Sequence, residues 1–340
     1  MFIQLKRYLA AHPSISTSRR RREHRPRVQG LEVRSLLAGF VDLGANVTVT
    51  AINSSAEAIG FEVGMGTYFR DSAGVMHIIN PLPGDTSSTA NGLNDSGQVV
   101  GYSNVSGGIG GTLHAFLYNQ GTLTPLGTLG GDSSYAAAIN DSGEVVGGST
   151  TGTSGLAPYD AFLWSQATGM QDLTKLGFMG TPVGINSSGQ IIAELGSNAT
   201  SDAQPVLWSG SGDLINLPTW GGIATLATAI NDGGAVVGWA NTTPNTLNPI
   251  HAFLWSQTTG MQDLGTLSGY SSSFAAAINN SGVVVGYAAD QQGDTGHAFI
   301  YKNGQMTDLN TYSGIPSGWV LNTATAINDN GVVAGAGTYE

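Results

Sequence analysis

Three histidines recur at the start of one short motif and are the first candidates for chemistry. They are His114, His251 and His297, each followed by Ala, Phe, an aliphatic residue and an aromatic residue. A zinc site requires three or four ligands that converge on one point, but these histidines have no second ligand two or four residues away, and the chain contains 0 Cys. We therefore predict no metal site. Instead, we expect a structural hydrogen bond between each histidine and the Asp of the next strand, His251 with Asp263 and His297 with Asp308.

The repeated Asn-Asp-x-Gly motif also offers oxygen atoms to a cation. Its clearest copy is Asn140-Asp141-Ser142-Gly143, which is soon followed by two valines. A calcium loop needs acidic oxygens at alternating positions and a distal bidentate Glu, and this motif supplies neither. Asn, Asp and Gly are residues that form tight turns, so we interpret the motif as a hairpin turn and predict no cofactor.

Aromatic residues between the repeat units are the remaining candidates for binding. Trp220, Tyr270, Tyr312 and Trp319 fall in these connections, where loops on a rigid scaffold commonly carry binding residues. Aromatic faces at such positions could stack on sugar rings. The alternative is that these four side chains only cover the ends of the sheets.

No catalytic residue can be singled out from the sequence. A nucleophile elbow needs a strand followed by a helix, and a phosphate-binding loop needs a Lys and a helix, but the repeats have no helical periodicity. Paired carboxylates of the kind used in glycoside hydrolysis cannot be identified, because the acids recur with the repeat and no pair differs from the others. We therefore predict that the protein is not an enzyme.

The turn motif marks an internal repeat that governs the whole chain. Its central asparagines are residues 53, 94, 140, 186, 231, 279 and 328, at spacings of 41, 46, 46, 45, 48 and 49. Self-similarity at a period of 40 to 50 residues is typical of propellers and other repeat architectures.

One repeat unit contains four short β-favouring runs. In the unit that begins near residue 226 they are residues 227–231, 235–240, 251–255 and 261–266, and Gly, Asn and Asp separate them. Four antiparallel strands in about 46 residues predict one blade of a β-propeller. The first strand is made of small residues, which suits the crowded axis. The third strand carries aromatics such as Phe253 and Phe299, which we expect between neighbouring blades.

The repeat count predicts an all-β, seven-bladed β-propeller of four-stranded repeats. The chain has seven copies of the first two strands but six of the complete set. A lone fourth strand at residues 41–44 opens the series, and a lone first pair at residues 325–328 and 332–336 closes it. The N-terminal strand would therefore close the last blade, with three strands. A β-solenoid and a six-bladed ring are the alternatives.

Charge divides the chain into two segments. Residues 1–38 hold 9 of the 12 Lys and Arg, whereas 21 of the 23 acids lie beyond them, so residues 39–340 carry 3 − 21 = −18. An acidic body repels phosphate backbones, so we predict no nucleic-acid partner. No apolar run reaches the roughly 18–20 residues of a transmembrane helix. We interpret residues 1–38 as a disordered, basic targeting or leader segment and residues 39–340 as the propeller repeat domain. The alternatives for the basic segment are a leader without a targeting role and a nucleic-acid-binding arm.

Several motifs resemble those of the HAF-type bacterial extracellular repeat family. They are His251-Ala252-Phe253-Leu254-Trp255, its counterparts at residues 114–118 and 297–301, Met261-Gln262-Asp263-Leu264 and the Ala-Ile-Asn-Asp-Ser-Gly turn. The resemblance covers residues 40–340 and departs where Asp160 replaces the histidine and at residues 204–208. It implies export and a β-rich repeat and no established activity. The Leu-Glu-x-Arg-x-Leu-Leu stretch at residues 31–37 resembles an N-terminal segment of exported and surface proteins.

These observations predict a non-catalytic binding or scaffold propeller in the extracellular space or on the cell surface. The expected partner of this monomer is a polysaccharide or a surface protein; the ligand is unknown, with carbohydrate as the candidate. The alternative is a propeller enzyme that acts on extracellular glycans or other polymers, with acids from several blades at the channel mouth. Two or more carboxylates within about 10 Å in one pocket would favour the enzyme.

Overall fold

The regular structure of the chain is almost entirely β-strand. The computed structural model describes residues 29–33, 40–105, 111–152, 159–178, 180–195, 204–210, 212–222, 224–243, 249–290 and 296–339. These ranges contain 28 strands and two short 3-10 turns, Thr174–Leu176 and Leu309–Thr311. Within the same ranges, no helix is long and apolar enough to cross a membrane. The predicted leader lies outside the described residues apart from residues 29–33.

Six four-stranded antiparallel sheets are each built from consecutive strands. Sheet 1 consists of β3 (Val47–Ile52), β4 (Ala58–Glu62), β5 (Gly66–Arg70) and β6 (Met76–Ile78). Sheet 2 consists of β7 (Ser87–Leu93), β8 (Val99–Asn104), β9 (Leu113–Asn119) and β10 (Thr122–Pro125). Sheet 3 consists of β11 (Ser134–Ile139), β12 (Val145–Thr150), β13 (Tyr159–Ser165) and β14 (Gly169–Asp172). Sheet 4 consists of β15 (Thr181–Ile185), β16 (Ile191–Leu195), β17 (Gln204–Trp208) and β18 (Leu214–Asn216). Sheet 5 consists of β19 (Thr225–Ile230), β20 (Val236–Asn241), β21 (Ile250–Ser256) and β22 (Gly260–Asp263). Sheet 6 consists of β23 (Ser272–Ile278), β24 (Val284–Ala289), β25 (His297–Lys302) and β26 (Gln305–Asp308).

A further sheet joins the two ends of the described chain, and we call it the composite sheet. It contains β1 (Gln29–Val33), β2 (Phe40–Ala45), β27 (Trp319–Ile327) and β28 (Val333–Tyr339), in the order β2-β1-β28-β27. The sequence predicted three strands here. The structure has four, because Gln29–Val33, inside the segment assigned to the leader, pairs antiparallel with both β28 and β2.

The all-β propeller fold of four-stranded antiparallel sheets is confirmed, and its cohesion lies between the sheets. Seven buried apolar clusters each combine side chains of two neighbouring sheets. Phe253, for example, packs with Ile192 and Leu207 of sheet 4 and with Val236 of its own sheet. Phe253 and Phe299 are both 0% exposed, as expected for third-strand aromatics between blades.

The glycine at the third position of six of the seven second strands is required by close packing. A β-bulge in the first strand, such as the one between Ala136 and Ala138, brings that strand against the second. A Cβ on Gly147 would lie 2.0 Å from the carbonyl oxygen of Tyr135 and 2.9 Å from the Phe162 ring. No side chain fits in that space in sheet 3, so the close contact of the two strands requires glycine there. Sheet 4 has Ala193 at this position, opposite Pro182.

Candidate functional site

The seven central asparagines form a closed ring of hydrogen bonds around the axis. Each Nδ2 donates to the main-chain oxygen of the asparagine in the next sheet at 2.8–3.1 Å. The series closes on itself, because Asn328 Nδ2 donates to Asn53 O at 2.8 Å across 275 positions of sequence. All seven side chains are buried. The turn motif therefore links neighbouring sheets as well as closing its own hairpin.

Each asparagine also fixes its own turn. Asn140 Oδ1 accepts from Glu144 N at 2.9 Å, and its main-chain N–H donates to Glu144 O. The position thus needs a donor and an acceptor on two separate atoms of one short side chain; an ionised Asp has no donor, and Ser has a single oxygen.

A second, more exposed ring of polar side chains lies one residue further along each turn. Its members are Ser54, Asp95, Asp141, Ser187, Asp232, Asn280 and Asp329. Where this residue is Asp or Asn, its Oδ1 accepts from the main-chain N–H of the same position in the preceding sheet, at 2.7–2.9 Å. Serine has a shorter side chain with a single oxygen. The recurring inter-sheet bond therefore needs Asp or Asn at this position.

The two rings and a layer of Ile and Leu beneath them enclose an axial cavity of about 210 Å³. Four carboxylates stand at its mouth. Asn280 Nδ2 donates to both Asp232 Oδ2 and Asp329 Oδ2 at 2.8 Å, so those two oxygens are no more than 2.8 + 2.8 = 5.6 Å apart. Desolvation opposes the ionisation of Asp232, but hydrogen bonds from Ser187 and Asn280 outweigh it and lower the pKa of this carboxyl. The mouth is therefore anionic and polar.

The predicted histidine pairs are found in two of the three repeats. His251 Nδ1 lies 2.9 Å from Asp263 Oδ2, and His297 Nδ1 lies 2.7 Å from Asp308 Oδ2. His114 has no Asp in its following strand and instead contacts Asp85 in the connection before β7, at 2.9 Å. In the described residues, no group of three or more His, Asp or Glu converges as a metal site would require.

The third repeat replaces the histidine pair with a different arrangement. Asp160, at the histidine position, accepts a hydrogen bond from Thr151 Oγ1 at 3.3 Å. Asp172 forms a 3.3 Å ion pair with Lys175 and accepts from Thr174 N. The two carboxylates therefore have separate partners.

The four candidate aromatic residues are half-buried at the end of the sheets opposite the Asn-Asp turns. Trp220 packs against the cluster between sheets 4 and 5, and Tyr270 against the one between sheets 5 and 6. Tyr312 and Trp319 share the cluster between sheet 6 and the composite sheet. Tyr270 also contacts the His297 ring at a tilt of 45°, with the ring centroids 5.3 Å apart. All four pack against inter-sheet cores, and the structure distributes them over three interfaces.

Glu194 breaks the repeat pattern and was not identified from the sequence. It lies on β16, at a position where five of the other sheets carry an aromatic or a glycine (Phe61, Tyr102, Gly148, Trp239, Tyr287). Its Oε1 accepts from Ala227 N in the next sheet at 2.8 Å, and no described residue hydrogen bonds to its buried Oε2. Burial raises the pKa of Glu194 to about 7. The signal in the sequence was the replacement of Gly by Ala193 directly before it.

Comparisons with known proteins support the propeller fold and do not identify a function. Residues 221–313 match a family described as a protein of unknown function (DUF3466). No curated protein matches the chain. The structure of putative TolB from Agrobacterium tumefaciens is similar at 12% identity and TM-score 0.50, over 71% of this chain and 89% of that chain.

Two further solved structures align less closely. TolB from Acinetobacter baumannii aligns at 14% identity and TM-score 0.43, over 68% of this chain and 61% of that chain. The β-propeller domain of the Trilobed protease from Pyrococcus furiosus aligns at 9% identity and TM-score 0.35, over 82% and 73%. At these identities the likeness to the putative TolB of Agrobacterium tumefaciens concerns the fold alone.

Proposed function

We propose that the protein is a non-catalytic binding and scaffold propeller of the cell envelope or exterior. The observation that carries this proposal is that the polar side chains of the ring are engaged in structural hydrogen bonds. The buried amides close the axial ring, the mouth carboxylates accept main-chain N–H groups of neighbouring sheets, and histidines pair with Asp inside one sheet. Side chains held in this way rigidify the ring and are poorly placed to change protonation or position during a reaction.

The proposed ligand is a polysaccharide, with a surface protein as the second kind of partner. Trp220, Tyr270, Tyr312 and Trp319 support this proposal, because each is half-buried and retains exposed ring surface on a rigid support. Amphipathic rings of this kind bind ligands at a small cost in conformational entropy. The resemblance to HAF-type extracellular repeats and the basic N-terminal segment support the proposed location.

We also propose that the seven sheets are seven blades of one closed ring, in a monomer. The support is the circular series of asparagine hydrogen bonds and the contact of the composite sheet with sheet 1, where Thr325 Oγ1 donates to Val49 O at 2.8 Å. A ring that closes within one chain needs no second copy.

Binding of purified bacterial polysaccharides to the full chain tests this function. We expect binding that weakens at least tenfold in Tyr270→Ala combined with Trp319→Ala. Asp95→Asn at the axial mouth serves as the matched control and should leave affinity unchanged. Loss of binding in the control and retention in the aromatic variant would move the site to the mouth. No binding to any polysaccharide by the intact chain would contradict the proposed ligand.

A propeller hydrolase is the second candidate, and one observation favours it. The Asp232 and Asp329 oxygens are within 5.6 Å of each other (2.8 + 2.8) at the rim of the cavity, a separation compatible with the roughly 5–9.5 Å of glycosidase carboxylates. A general acid, however, needs a raised pKa, and the pKa of Asp232 is lowered. Release of reducing ends from a polysaccharide, abolished by Asp232→Asn, would establish the enzyme. We expect no release above the buffer rate.

A further inference from the structure

The surroundings of His114 differ from those of the two other repeat histidines. In sheets 5 and 6, the fourth-strand residue that pairs with the buried Phe of the third strand is Asp263 or Asp308, and this aspartate holds the histidine. In sheet 2 the same register position is Pro125, and the histidine is held by Asp85 from the connection before β7. Sheet 2 therefore has an apolar residue where its counterparts carry a charge.

Asp85 is also the most deeply buried of the three aspartates. Its side chain is 2% exposed, against 47% for Asp263 and 23% for Asp308. Ser103 Oγ donates to Asp85 Oδ2, and His114 Nδ1 lies 2.9 Å from the same oxygen. Burial of a carboxylate is costly unless it is paired and hydrogen-bonded. Here the buried carboxylate holds an imidazole whose side chain is itself 38% exposed.

The position of the imidazole proton determines what this ring can bind. A carboxylate only accepts hydrogen bonds, so Nδ1 of neutral His114 carries the proton and donates it to Asp85. Both ring contacts with described residues are made by Nδ1. Nε2 then has the lone pair and is the acceptor left for a ligand. A hydroxyl group of the ligand can donate to this nitrogen.

His114 lines a pocket of about 450 Å³ at the end of sheet 2 opposite the Asn-Asp turns. Much of its wall is apolar and consists of Leu82, Pro83, Leu123 and Pro125. Small-molecule sites have volumes of roughly 300–1,000 Å³ and combine apolar walls with a few placed polar groups. The pocket therefore has the size and the lining of a site for a small, mainly apolar ligand.

The two side-chain hydroxyls in the lining are already engaged. Ser134 Oγ donates to Gly127 O at 2.7 Å, and Thr128 Oγ1 donates to Gly131 O at 2.8 Å. A sugar ring would leave most of its hydroxyls without a side-chain partner here, and a buried hydroxyl without a partner costs free energy. An apolar ring with one hydroxyl matches the walls and the single acceptor of His114.

We propose that this pocket binds a phenol, whose aromatic ring contacts the apolar walls and whose hydroxyl donates to His114 Nε2. A free phenolic compound and the tyrosine side chain of a partner protein present this same chemistry. The pocket belongs to sheet 2, whereas the aromatics of the proposed polysaccharide site lie between sheets 4, 5, 6 and the composite sheet. The inference therefore goes beyond the proposed function and holds or fails independently of it.

An NMR titration of the full chain with matched ligands tests the proposal. The probes are p-cresol and N-acetyl-tyrosinamide, and their controls are toluene and N-acetyl-phenylalaninamide, which lack only the hydroxyl. We expect each phenol to bind at least tenfold more tightly than its control, because a site built to pair a hydroxyl discriminates against an analogue without one. The tighter of the two phenols identifies the source. Equal affinity for phenols and controls, no binding of either phenol, or tighter binding of methyl glucoside would overturn the proposal.

Three variants locate the bound phenol. His114→Asn keeps an N–H group for Asp85 but removes Nε2, and it should weaken phenol binding at least tenfold. Pro125→Asp, at an exposed position, restores the aspartate of sheets 5 and 6 and places a carboxylate in the apolar wall, so it should have a similar effect. His251→Asn, whose ring does not line this pocket, should bind as wild type does. Unchanged affinity in the first two variants, or an equal loss in all three, would contradict this site.

The exposed position of Pro125 keeps the test decisive if His114→Asn does not fold. In that case a loss of phenol binding in Pro125→Asp with wild-type binding in His251→Asn supports the site, and wild-type binding in both overturns it.

Discussion

Asparagine is the residue that links neighbouring sheets in the circular series of hydrogen bonds, because it presents a donor and an acceptor on a short, neutral side chain. Asn140 Nδ2 donates to Asn186 O at 3.0 Å and to Glu144 Oε2 at 2.8 Å. Asn140→Asp removes this donor and brings a carboxylate against a carbonyl and a second carboxylate. We expect a loss of roughly 2–4 kcal/mol in the free energy of unfolding, measured by urea denaturation. The exposed Asn119→Asp should stay within about 0.5 kcal/mol, and an equal loss in both variants would show that the ring does not stabilise the fold.

Glu194 makes the stability of the chain depend on pH in a defined direction. Burial raises its pKa from 4.5 to about 7, so the folded state holds the proton more tightly than the unfolded chain. Its contribution is fully present below pH 4.5 and is lost as the pH rises towards 7 and above. A shift of this size corresponds to roughly 3 kcal/mol.

The matching experiment compares wild type with Glu194→Gln between pH 4 and pH 8. The stability of the variant relative to wild type should increase by roughly 3 kcal/mol over this range, because Gln has no proton to lose. Asp213→Asn on an exposed hairpin should follow the wild-type curve. If the stabilities of wild type and Glu194→Gln changed with pH in parallel, the raised pKa of Glu194 would be contradicted.

At the scale of the strand, the packing of first strand against second excludes any side chain at the glycine between them. Gly147→Ala places a Cβ 2.0 Å from a main-chain oxygen, so one of the two strands would have to move. We expect a loss of at least about 3 kcal/mol or failure to fold. Gly314→Ala, where a Cβ would meet nothing within 4 Å, should be near neutral in thermal unfolding. A mild effect at Gly147 would mean that the bulged strand can move.

The elements were predictable from sequence to the extent that their signals are local. In sheet 5 the predicted strands 227–231, 235–240 and 251–255 agree with β19, β20 and β21 within one or two residues, because period-two burial and turn residues act within a hairpin. The pairs of His251 and His297 were predictable for the same reason. His114 was not, since its partner Asp85 lies before the preceding hairpin.

What the sequence did not reveal depends on contacts between units. The asparagines were correctly interpreted as turn residues, but six of their inter-sheet bonds join positions 41 to 49 residues apart and the seventh joins positions 275 apart. No local pattern indicates such a partner. Strand β1 lacks the aromatic residue by which third strands were recognised, so its pairing with β28 was missed. The alternative enzyme hypothesis expected acids from several blades at the channel mouth, but the sequence did not identify which acids these are, because each belongs to the repeat and only the ring brings them together.

At the scale of the whole molecule, the ladder between β1 and β28 is the one seam of the composite sheet that joins the two ends of the chain. It runs over five pairs, from Gln29 with Gly337 to Val33 with Val333. If this ladder closes the ring, a covalent link across it must stabilise the entire fold. Gly30→Cys with Ala336→Cys creates such a link, which encloses 336 − 30 = 306 residues of separation. Loop-closure entropy sets an upper value of roughly 6 kcal/mol.

The oxidised double-cysteine variant should therefore unfold at a clearly higher temperature than its own reduced form, in a single transition. Comparison within one variant removes the effect of the substitutions themselves, and the chain has 0 native Cys to compete. If oxidation raised the temperature only of a separate, low-temperature unfolding transition, the composite sheet would open before the other six sheets. An unchanged melting temperature would show that the two ends are not held together at this seam. Because every inter-sheet cluster spans two neighbours, a closed ring has no free end from which unfolding can spread, and the link should act on all sheets at once.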